Sequence, residues 1–318
     1  MATYLLRRLG ETALVLLIMS FLVYALIGLM PGDPIDLMLS ADPNLTAADA
    51  ARLKALYGLD RPLLERYLAW LGRALTGDLG YSRLFSQPVA LVLGPRLLNT
   101  LLLMGLSFAL ALAIALPAGI WAALRAGTAV DGTINLLAFA GFSLPAFWLG
   151  LLLILVFAVW LGWLPAGGFQ GIGEGGLPDR ARYLVLPVLT LTLLTAGTFV
   201  RFVRAAMMES LRHDFIRTAR AKGCGTRQVV LRHALRHAML PVTTIIALHM
   251  GSLFSGALVV EAVFAYGGMG KLIYDSILGN DFNLALAALM LATLATLLAN
   301  LAADMAYAWL DPRIHYGG

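Results

Sequence analysis

Long apolar runs alternate with shorter polar stretches along this chain. Six of the runs are long enough to cross about 30 Å of hydrocarbon as helices. Only helices and closed barrels satisfy their backbone polar groups inside a bilayer, and these runs are too long for barrel strands. The pattern therefore predicts an all-α polytopic membrane protein with six transmembrane helices. The predicted spans are Thr12–Met30, Leu97–Leu124, Ile134–Leu161, Tyr183–Val200, Val242–Val260 and Leu284–Trp309.

Composition supports the membrane assignment. Of 318 residues, 60% are hydrophobic and only 13% are charged, and the mean hydropathy is +0.83. The net charge of +5 lies mostly in the segment Arg201–Pro241 and at the N-terminus. The positive-inside rule explains this distribution more simply than nucleic-acid binding does. The single cysteine, Cys224, cannot form an internal disulfide and indicates a reducing compartment.

The first predicted span resembles a signal peptide, because Arg7 and Arg8 precede it. Its length suffices to cross a membrane, and no small-residue cleavage site follows it. We therefore predict that residues 1–32 form a cytoplasmic N-terminus and an uncleaved first helix. The sequence PGDP at 31–34 ends that helix, because proline lacks a backbone donor.

Residues 33–96 form a polar segment with seven basic and seven acidic side chains, predicted to lie in the periplasm. Apolar residues recur at helical spacing within it and predict a short amphipathic helix. Two placements of this helix are open: on the membrane face or against the transmembrane bundle. The residues are Leu63, Leu64, Tyr67, Leu68, Leu71 and Leu75.

The other five spans fall within residues 97–318. Pro117 with Gly119 is expected to interrupt the second span, and Pro145 the third. Membrane helices tolerate such residues when neighbouring helices or water satisfy the freed backbone groups. Each interruption is either a packing kink or a bend that lines a cavity.

The segment Arg201–Pro241 is strongly basic. Between Arg204 and Arg236 it carries eight Arg or Lys against two acidic residues. A charge at the centre of a span costs roughly 2.5–3.5 kcal/mol on insertion scales, so this segment must lie in water. Its sequence predicts one helix over Glu209–Lys222, a break at Gly223 and Gly225, and a second helix over Thr226–Met239 that ends at Pro241. Such a helix docks onto another protein or contacts anionic headgroups.

Several motif-like patterns carry no chemistry. Gly171, Gly173 and Gly176 match a dinucleotide-binding spacing but follow no strand, and Gly270–Lys271 lacks the first glycine and the Ser or Thr of a phosphate-binding loop. His233 and His237 stand four residues apart, but the surrounding basic residues disfavour a cation. The sequence thus indicates no catalytic residue, no cofactor and no metal site in this chain.

His249 is the single ionisable side chain deep within a predicted span, while Glu261 and Asp304 lie near span ends. Packing of His249 is favoured over a contact with substrate. Ion-coupled transporters need buried acids or proton relays. Their scarcity here disfavours secondary active transport and indicates that energy comes from a partner.

The stretch RTARAKG at Arg217–Gly223, followed by HALRHAMLP, resembles the EAA loop of ABC importer permeases of the dipeptide, oligopeptide and nickel branch. The general pattern has Glu and Ala where this chain has Arg217 and Thr218, and Pro241 comes five residues late. Both departures are typical of that branch. Within that branch, the chain is similar to the B-type subunit. The resemblance continues through MPGDPIDLML, YGLDRPLLERYLAWLGRALTGDLGYS, RLLNTLLLM, SLPAFWLGLLLI, EAVFAYGGMGKLIYDSI and LDPRIHY.

The resemblance implies a type I ABC importer permease fold and a function in moving di- or oligopeptides across the bacterial inner membrane. It implies a second, C-type permease, two cytoplasmic ABC ATPases that carry ATP and magnesium, and a periplasmic solute-binding protein as partners, with both termini of this chain in the cytoplasm. The chain itself would then be a pore subunit and not an enzyme. No substrate-binding residue is indicated. The residues implied in ATPase coupling are Arg217, Thr218, Ala219, Arg220, Ala221, Lys222 and Gly223.

Two alternatives stay open at this point. Within the same branch, the substrate could be nickel, glutathione or another small solute. From a different class, a secondary transporter remains, although it would require an intramembrane acid that the spans lack.

Overall fold

The computed structural model describes residues 2–28, 61–171 and 176–310. The PGDP turn at 31–34 and the tail at 311–318 lie outside these residues. Helices dominate the described chain, with one two-stranded antiparallel hairpin. In chain order the elements are α1 (Ala2–Gly28), α2 (Leu63–Leu75), β1 (Tyr81–Ser82), β2 (Gln87–Pro88), α3 (Val89–Leu124), α4 (Ala129–Ser143), α5 (Ala146–Leu153), a π-helical segment (Ile154–Trp160), α6 (Leu177–Arg212), α7 (Asp214–Ala221), α8 (Thr226–Gln228), a second π-helical segment (Val229–Ala234), α9 (Leu235–Val263), α10 (Met269–Leu278) and α11 (Phe282–Leu310).

Within the described residues, each predicted span coincides with helical structure, continuous in all but the third. Four described helices are long and apolar enough to cross a membrane, at Arg7–Gly28, Val89–Leu124, Leu177–Arg212 and Phe282–Ala303. The bent pair α4 and α5 with its π-helical extension would count as a fifth span. The 29-residue helix α9 covers the predicted fifth run, Val242–Val260.

The third predicted span is broken and not merely kinked. Its two halves, Ala129–Ser143 and Ala146–Trp160, are bent by 106°. The break follows from Pro145, because a residue before proline avoids helical geometry, and Leu144 is extended (φ −81°, ψ 136°). Pro145 then starts the second half by accepting the Leu149 amide at 3.0 Å.

Pro117 and Pro241 do not interrupt their helices, contrary to the sequence prediction. Helix α3 continues from Val89 to Leu124 through Pro117, and α9 continues through Pro241 to Val263. Around Pro241 the hydroxyl of Thr243 donates to the carbonyl oxygens of Met239 and Leu240, both at 2.9 Å. Both bonds lie within the helix, and the carbonyl oxygen that loses its amide partner at Pro241 is that of His237, four residues earlier.

The chain divides into two compact units, the first formed by residues 1–98 and 271–295. Within it, Tyr67 and Trp70 of α2 are buried among apolar residues of α1 and α11. The β1–β2 hairpin is held by Asp281, which accepts from the Ser82 hydroxyl at 2.6 Å and the Leu84 amide at 3.0 Å. The other oxygen of Asp281 caps α11 by accepting the Leu284 amide at 3.2 Å.

The second unit, residues 99–270 and 296–318, is built around α6. Glycines let helices approach α6 closely: a Cβ atom on Gly119 of α3 would lie 2.7 Å from Val203, and one on Gly197 would overlap the Ala138 carbonyl oxygen of α4. Small residues at such crossings are the usual means of helix association in membranes.

The loop after α9 encloses a buried carboxylate, Glu261. One oxygen accepts the Thr100 hydroxyl and the other accepts the Gly270 amide, both at 2.6 Å. The amide that a phosphate-binding loop would offer is therefore already occupied. Burial and the nearby Glu261 carboxylate raise the pKa of Tyr266 to about 12, so its hydroxyl stays neutral.

We expect Gly197→Leu to prevent assembly of this unit, because any side chain at 197 collides with the α4 backbone. Gly105→Leu is the matched control, since an added Cβ atom there meets nothing within 4 Å. The measurement is the yield of monodisperse protein extracted from membranes. Equal yields for the two variants would contradict the proposed crossing.

Candidate functional site

Helix α7, Asp214–Ala221, lies within the basic segment and contains most of the residues implied in coupling. The predicted helix Glu209–Lys222 is in fact two helices: α6 continues to Arg212, and His213 is extended (φ −67°, ψ 151°) before α7 begins. The predicted second helix is also longer than expected, because it merges through the π-helical segment into α9. The part of Arg201–Pro241 that stands apart from the long helices is therefore 213–225.

The end of α7 is a Schellman motif. The Gly223 amide donates to the Arg220 carbonyl oxygen at 2.9 Å, and the Cys224 amide donates to the Ala219 carbonyl oxygen at 3.1 Å. Gly223 has φ +83°, the left-handed conformation that side chains disfavour. The break predicted at Gly223 is thus confirmed, and its cause is backbone geometry.

The inner face of α7 packs on the ends of the long helices. Ile216 and Ala219 are buried three residues apart, and they join one apolar cluster with residues of α3, α6 and α9. Cys224 also packs against this cluster, which is the apolar contact that usually accompanies a Schellman motif. The buried members are Ala123, Val203, Ala206, Met207, Ile216, Ala219, Val229, Val230, Ala234, Ala238 and Val242.

The outer face of α7 is open to solvent. Of the seven residues implied in coupling, Ala219 is buried and the other six are exposed. The exposed face carries Arg217, Arg220 and Lys222, with Asp214 near Arg217 (Nη1 to Oδ1 3.4 Å). The structure therefore separates two roles among these residues: a supporting position at 219 and an accessible basic surface around it.

Three aromatic side chains join the start of α7 to α9. The rings of His213 and Phe215 stack with centroids 5.6 Å apart, and His237 contacts both, at 4.8 Å from His213 and 5.3 Å from Phe215. The sequence paired His237 with His233 by spacing, whereas the fold pairs it with residues more than twenty positions away.

The sequence did not predict an ion pair that joins α4 to α6 before α6 leads into α7. Arg204 of α6 donates through Nε and Nη2 to Asp131 of α4 at 2.6 and 2.7 Å. Asp131 also accepts from the Gly127 amide and the Asn135 side chain, at 2.9 and 2.7 Å. The bidentate geometry fixes the start of α4 against α6.

A pocket of about 460 Å³ opens next to this ion pair. Its lining is mixed in charge, and it is formed by Arg204, Ala205, Met208, Glu209, Arg212 and His213. These residues occupy one face of α6 and the turn into α7. A protein surface that contacts α7 can therefore also reach this face of α6.

The described residues hold no group of three or more His, Cys, Asp or Glu that could bind a metal ion. His249, the ionisable residue within a span, packs its ring against Phe199 at a centroid distance of 5.2 Å. What the described site offers is a rigidly supported, exposed helix suited to protein contact.

A polytopic helical fold with such a helix between two long helices defines a membrane permease subunit. The chain matches the family described as binding-protein-dependent transport system inner membrane component over residues 115–316, and the N-terminal component of the same systems over residues 1–89. The chain belongs to this family.

Curated relatives match the chain over nearly its full length. It is 39% identical over 318 residues to the oligopeptide transport system permease protein AppB of Bacillus subtilis, covering 99% of this chain and 100% of the relative. It is 40% identical to a putative peptide permease protein of Brucella suis, covering 99% of both. It is 38% identical to the glutathione transport system permease protein GsiC of Escherichia coli K12, covering 99% and 100%.

The fold is also that of a solved transporter chain. The structure is similar to a chain of the MetNI methionine ABC transporter in inward-facing conformations, with a TM-score of 0.57 and 21% sequence identity. The match covers 70% of this chain and 97% of that chain. The likeness confirms the type I importer permease fold.

Replacing Gly223 by Ala should destabilise the end of α7 by about 1 kcal/mol, because a side chain is strained at positive φ. Local opening should then expose Arg220 and Lys222 to trypsin about fivefold more often. Gly225→Ala is the control, since Gly225 has φ −66° and space for a methyl group. The measurement is the rate of limited proteolysis, and similar rates for the two variants would count against the Schellman assignment.

Proposed function

We propose that this chain is the B-type permease subunit of a bacterial ABC importer for di- or oligopeptides. Membership of the binding-protein-dependent family supports an importer, and this membership disfavours the secondary transporter. The names of the peptide and oligopeptide permeases that match over the whole chain support a peptide substrate. Because the matches cover 99% of this chain, the similarity extends over the whole chain and not over one shared domain.

In this proposal the coupling site to the ATPases is Arg217–Gly223. The observation that carries it is the two-sided character of α7: Ile216 and Ala219 are buried against the long helices, while Arg217 and Arg220 are exposed. Force applied to the outer face is passed through the buried face to α6 and α9. Gly223 stops the helix so that the chain can turn back into α9.

Ala219 has a different role in this proposal from its exposed neighbours. It lies at 5% exposure on the inner face of α7 and accepts the Cys224 amide through its carbonyl oxygen. A larger or charged side chain at 219 would lift α7 from the cluster, so its effect on transport would be indirect. Contact with the ATPase falls to Arg217, Thr218, Arg220, Ala221 and Lys222.

The energy source lies on partner subunits. We infer that two cytoplasmic ABC ATPases bind ATP and magnesium, and that this chain carries no cofactor and no enzymatic activity of its own. A C-type permease completes the pathway, and a periplasmic solute-binding protein delivers the substrate. ATP-driven closure of the ATPases then changes the permeases between inward-open and outward-open states by rigid-body motion.

The orientation follows from charge. The basic residues of 213–234 must lie in the cytoplasm by the positive-inside rule, on the same side as Arg7 and Arg8. With six spans, both termini are then cytoplasmic in the inner membrane. Residues 61–88, which follow the first span, lie on the periplasmic side.

A second candidate substrate is glutathione. The glutathione permease GsiC matches this chain almost as well as the peptide permeases do. Glutathione is itself a tripeptide, so one pathway could accept both. Nickel and other small solutes stay predictions from the resemblance of the sequence alone.

Arg220→Glu should reduce both uptake and substrate-stimulated ATP hydrolysis about tenfold, equivalent to about 1.4 kcal/mol of docking energy. The change reverses a charge on the exposed face of α7 without touching the buried cluster. Arg125→Glu, on the exposed turn before α4, is the matched control. The measurement uses the complete transporter reconstituted in proteoliposomes.

Two further variants separate contact from support. Ala219→Asp and Gly223→Arg should abolish uptake or uncouple it from hydrolysis while the subunit still inserts, and both should also accelerate trypsin cleavage of α7. Arg220→Glu should leave cleavage at the other basic residues unchanged. Normal transport by an Ala219→Asp, Gly223→Arg double variant would refute the coupling assignment.

The substrate is tested by direct binding. We expect the cognate solute-binding protein to bind di- or oligopeptides more tightly than glutathione or nickel chelates, as measured by calorimetry, and the same ligand to stimulate ATP hydrolysis by the complete transporter. Preference for glutathione would select the second candidate. Preference for a nickel chelate would overturn the peptide assignment and leave the coupling site unaffected.

A further inference from the structure

Helix α2, Leu63–Leu75, has two apolar faces. Its buried face carries Tyr67 and Trp70, which lie against α1 and the first turns of α11. A second stripe is formed by Leu64, Leu68 and Leu75, which are 57%, 55% and 80% exposed. At 100° per residue these three leucines fall within an arc of about 40°, next to the buried face. The exposed stripe therefore extends an already packed surface.

The contacts of α2 fix its depth relative to the first membrane span. The Tyr67 hydroxyl lies 2.7 Å from the Ser20 hydroxyl, and its ring packs edge-on against Phe21 and Tyr24. Near the start of α2, a Cβ atom on Gly28 would lie 3.5 Å from Leu63. These residues belong to the half of the span Arg7–Gly28 that is remote from the charged Arg7.

That depth places α2 in the membrane and not above it. Residue 20 lies roughly 20 Å along the axis from Arg7 and residue 28 roughly 32 Å, while the hydrocarbon layer is about 30 Å thick. A helix that contacts residues 20–28 is therefore at the level of the remote interface and the acyl chains below it.

The polar residues of α2 fit such a position. At 100° per residue, Arg66 and Arg73 lie about 160–180° from the centre of the leucine stripe, and Glu65 lies about 80° from it. Their charged ends can reach water while the leucines face hydrocarbon, the arrangement of an interfacial amphipathic helix. Helix α1 presents a comparable exposed stripe at Leu14, Ile18, Leu22 and Leu26.

We propose that α2 is a membrane-embedded interfacial helix whose Leu64, Leu68 and Leu75 contact lipid acyl chains in the leaflet remote from Arg7. The lipid is the occupant because the stripe is at the depth of a membrane span and because α1, on which α2 packs, has its own exposed apolar stripe. This assignment resolves the two placements left open by the sequence, since one helix packs on the bundle and lies in the membrane face. It does not depend on the coupling site.

Site-specific fluorescence tests the proposal. In a Cys224→Ala background, Leu68→Cys and Ala69→Cys place an environment-sensitive label on neighbouring residues about 100° apart around α2. The complete transporter is reconstituted in phosphatidylethanolamine–phosphatidylglycerol vesicles, with or without phosphatidylcholine that carries a nitroxide high on its acyl chain. Iodide serves as the aqueous quencher.

We expect the label at 68 to lose most of its emission to the lipid nitroxide and to resist iodide, and the label at 69 to show the reverse. Equal iodide quenching at both positions would overturn the proposal, because α2 would then lie in water. Resistance of the label at 68 to both quenchers would also overturn it, since protein would then cover the stripe.

Discussion

The burial of Ile216 and Ala219 is the interaction on which the proposed site depends. A helix of eight residues is too short to be stable alone in water. Helix α7 persists because its inner face joins the cluster formed by the ends of α3, α6 and α9, and because the Gly223 turn satisfies its last carbonyl oxygens. The same contacts make α7 a stiff extension of the transmembrane helices. In the proposed function, the packing that supports α7 would also transmit force from its outer face.

Three buried carboxylates of the described residues, those of Asp131, Glu261 and Asp281, hold the fold through hydrogen bonds. Asp281 accepts hydrogen bonds from the hairpin residue Ser82 and from the Leu284 amide at the start of α11. Glu261 accepts from the Thr100 hydroxyl and the Gly270 amide, and Asp131 accepts from the Arg204 guanidinium. A buried acid is costly unless donors surround it. Because each of these acids already accepts from at least two donors, it holds a turn or a helix end in place.

Proline shows how far local pattern predicts membrane structure. The rule that a residue before proline avoids helical geometry predicted a bend at Pro145, and the chain turns there by 106°. The same rule was wrong at Pro117 and Pro241, where the helices continue. At Pro241 the missing amide leaves the His237 carbonyl oxygen, four residues earlier, without its helical donor, and α9 continues nevertheless. A proline position alone therefore does not reveal whether a helix breaks there.

The sequence by itself determined the membrane class, the position of the spans, the water-exposed basic segment and the stop at Gly223, because hydropathy, charge and glycine geometry act over a few neighbouring residues. Only the tertiary structure decided that Ala219 faces inward, that Asp131 pairs with Arg204, that His237 meets His213 and Phe215, and that α2 both packs on α1 and exposes a leucine stripe. Those pairs join residues far apart along the chain. Local periodicity carries no information about which distant partner a side chain meets.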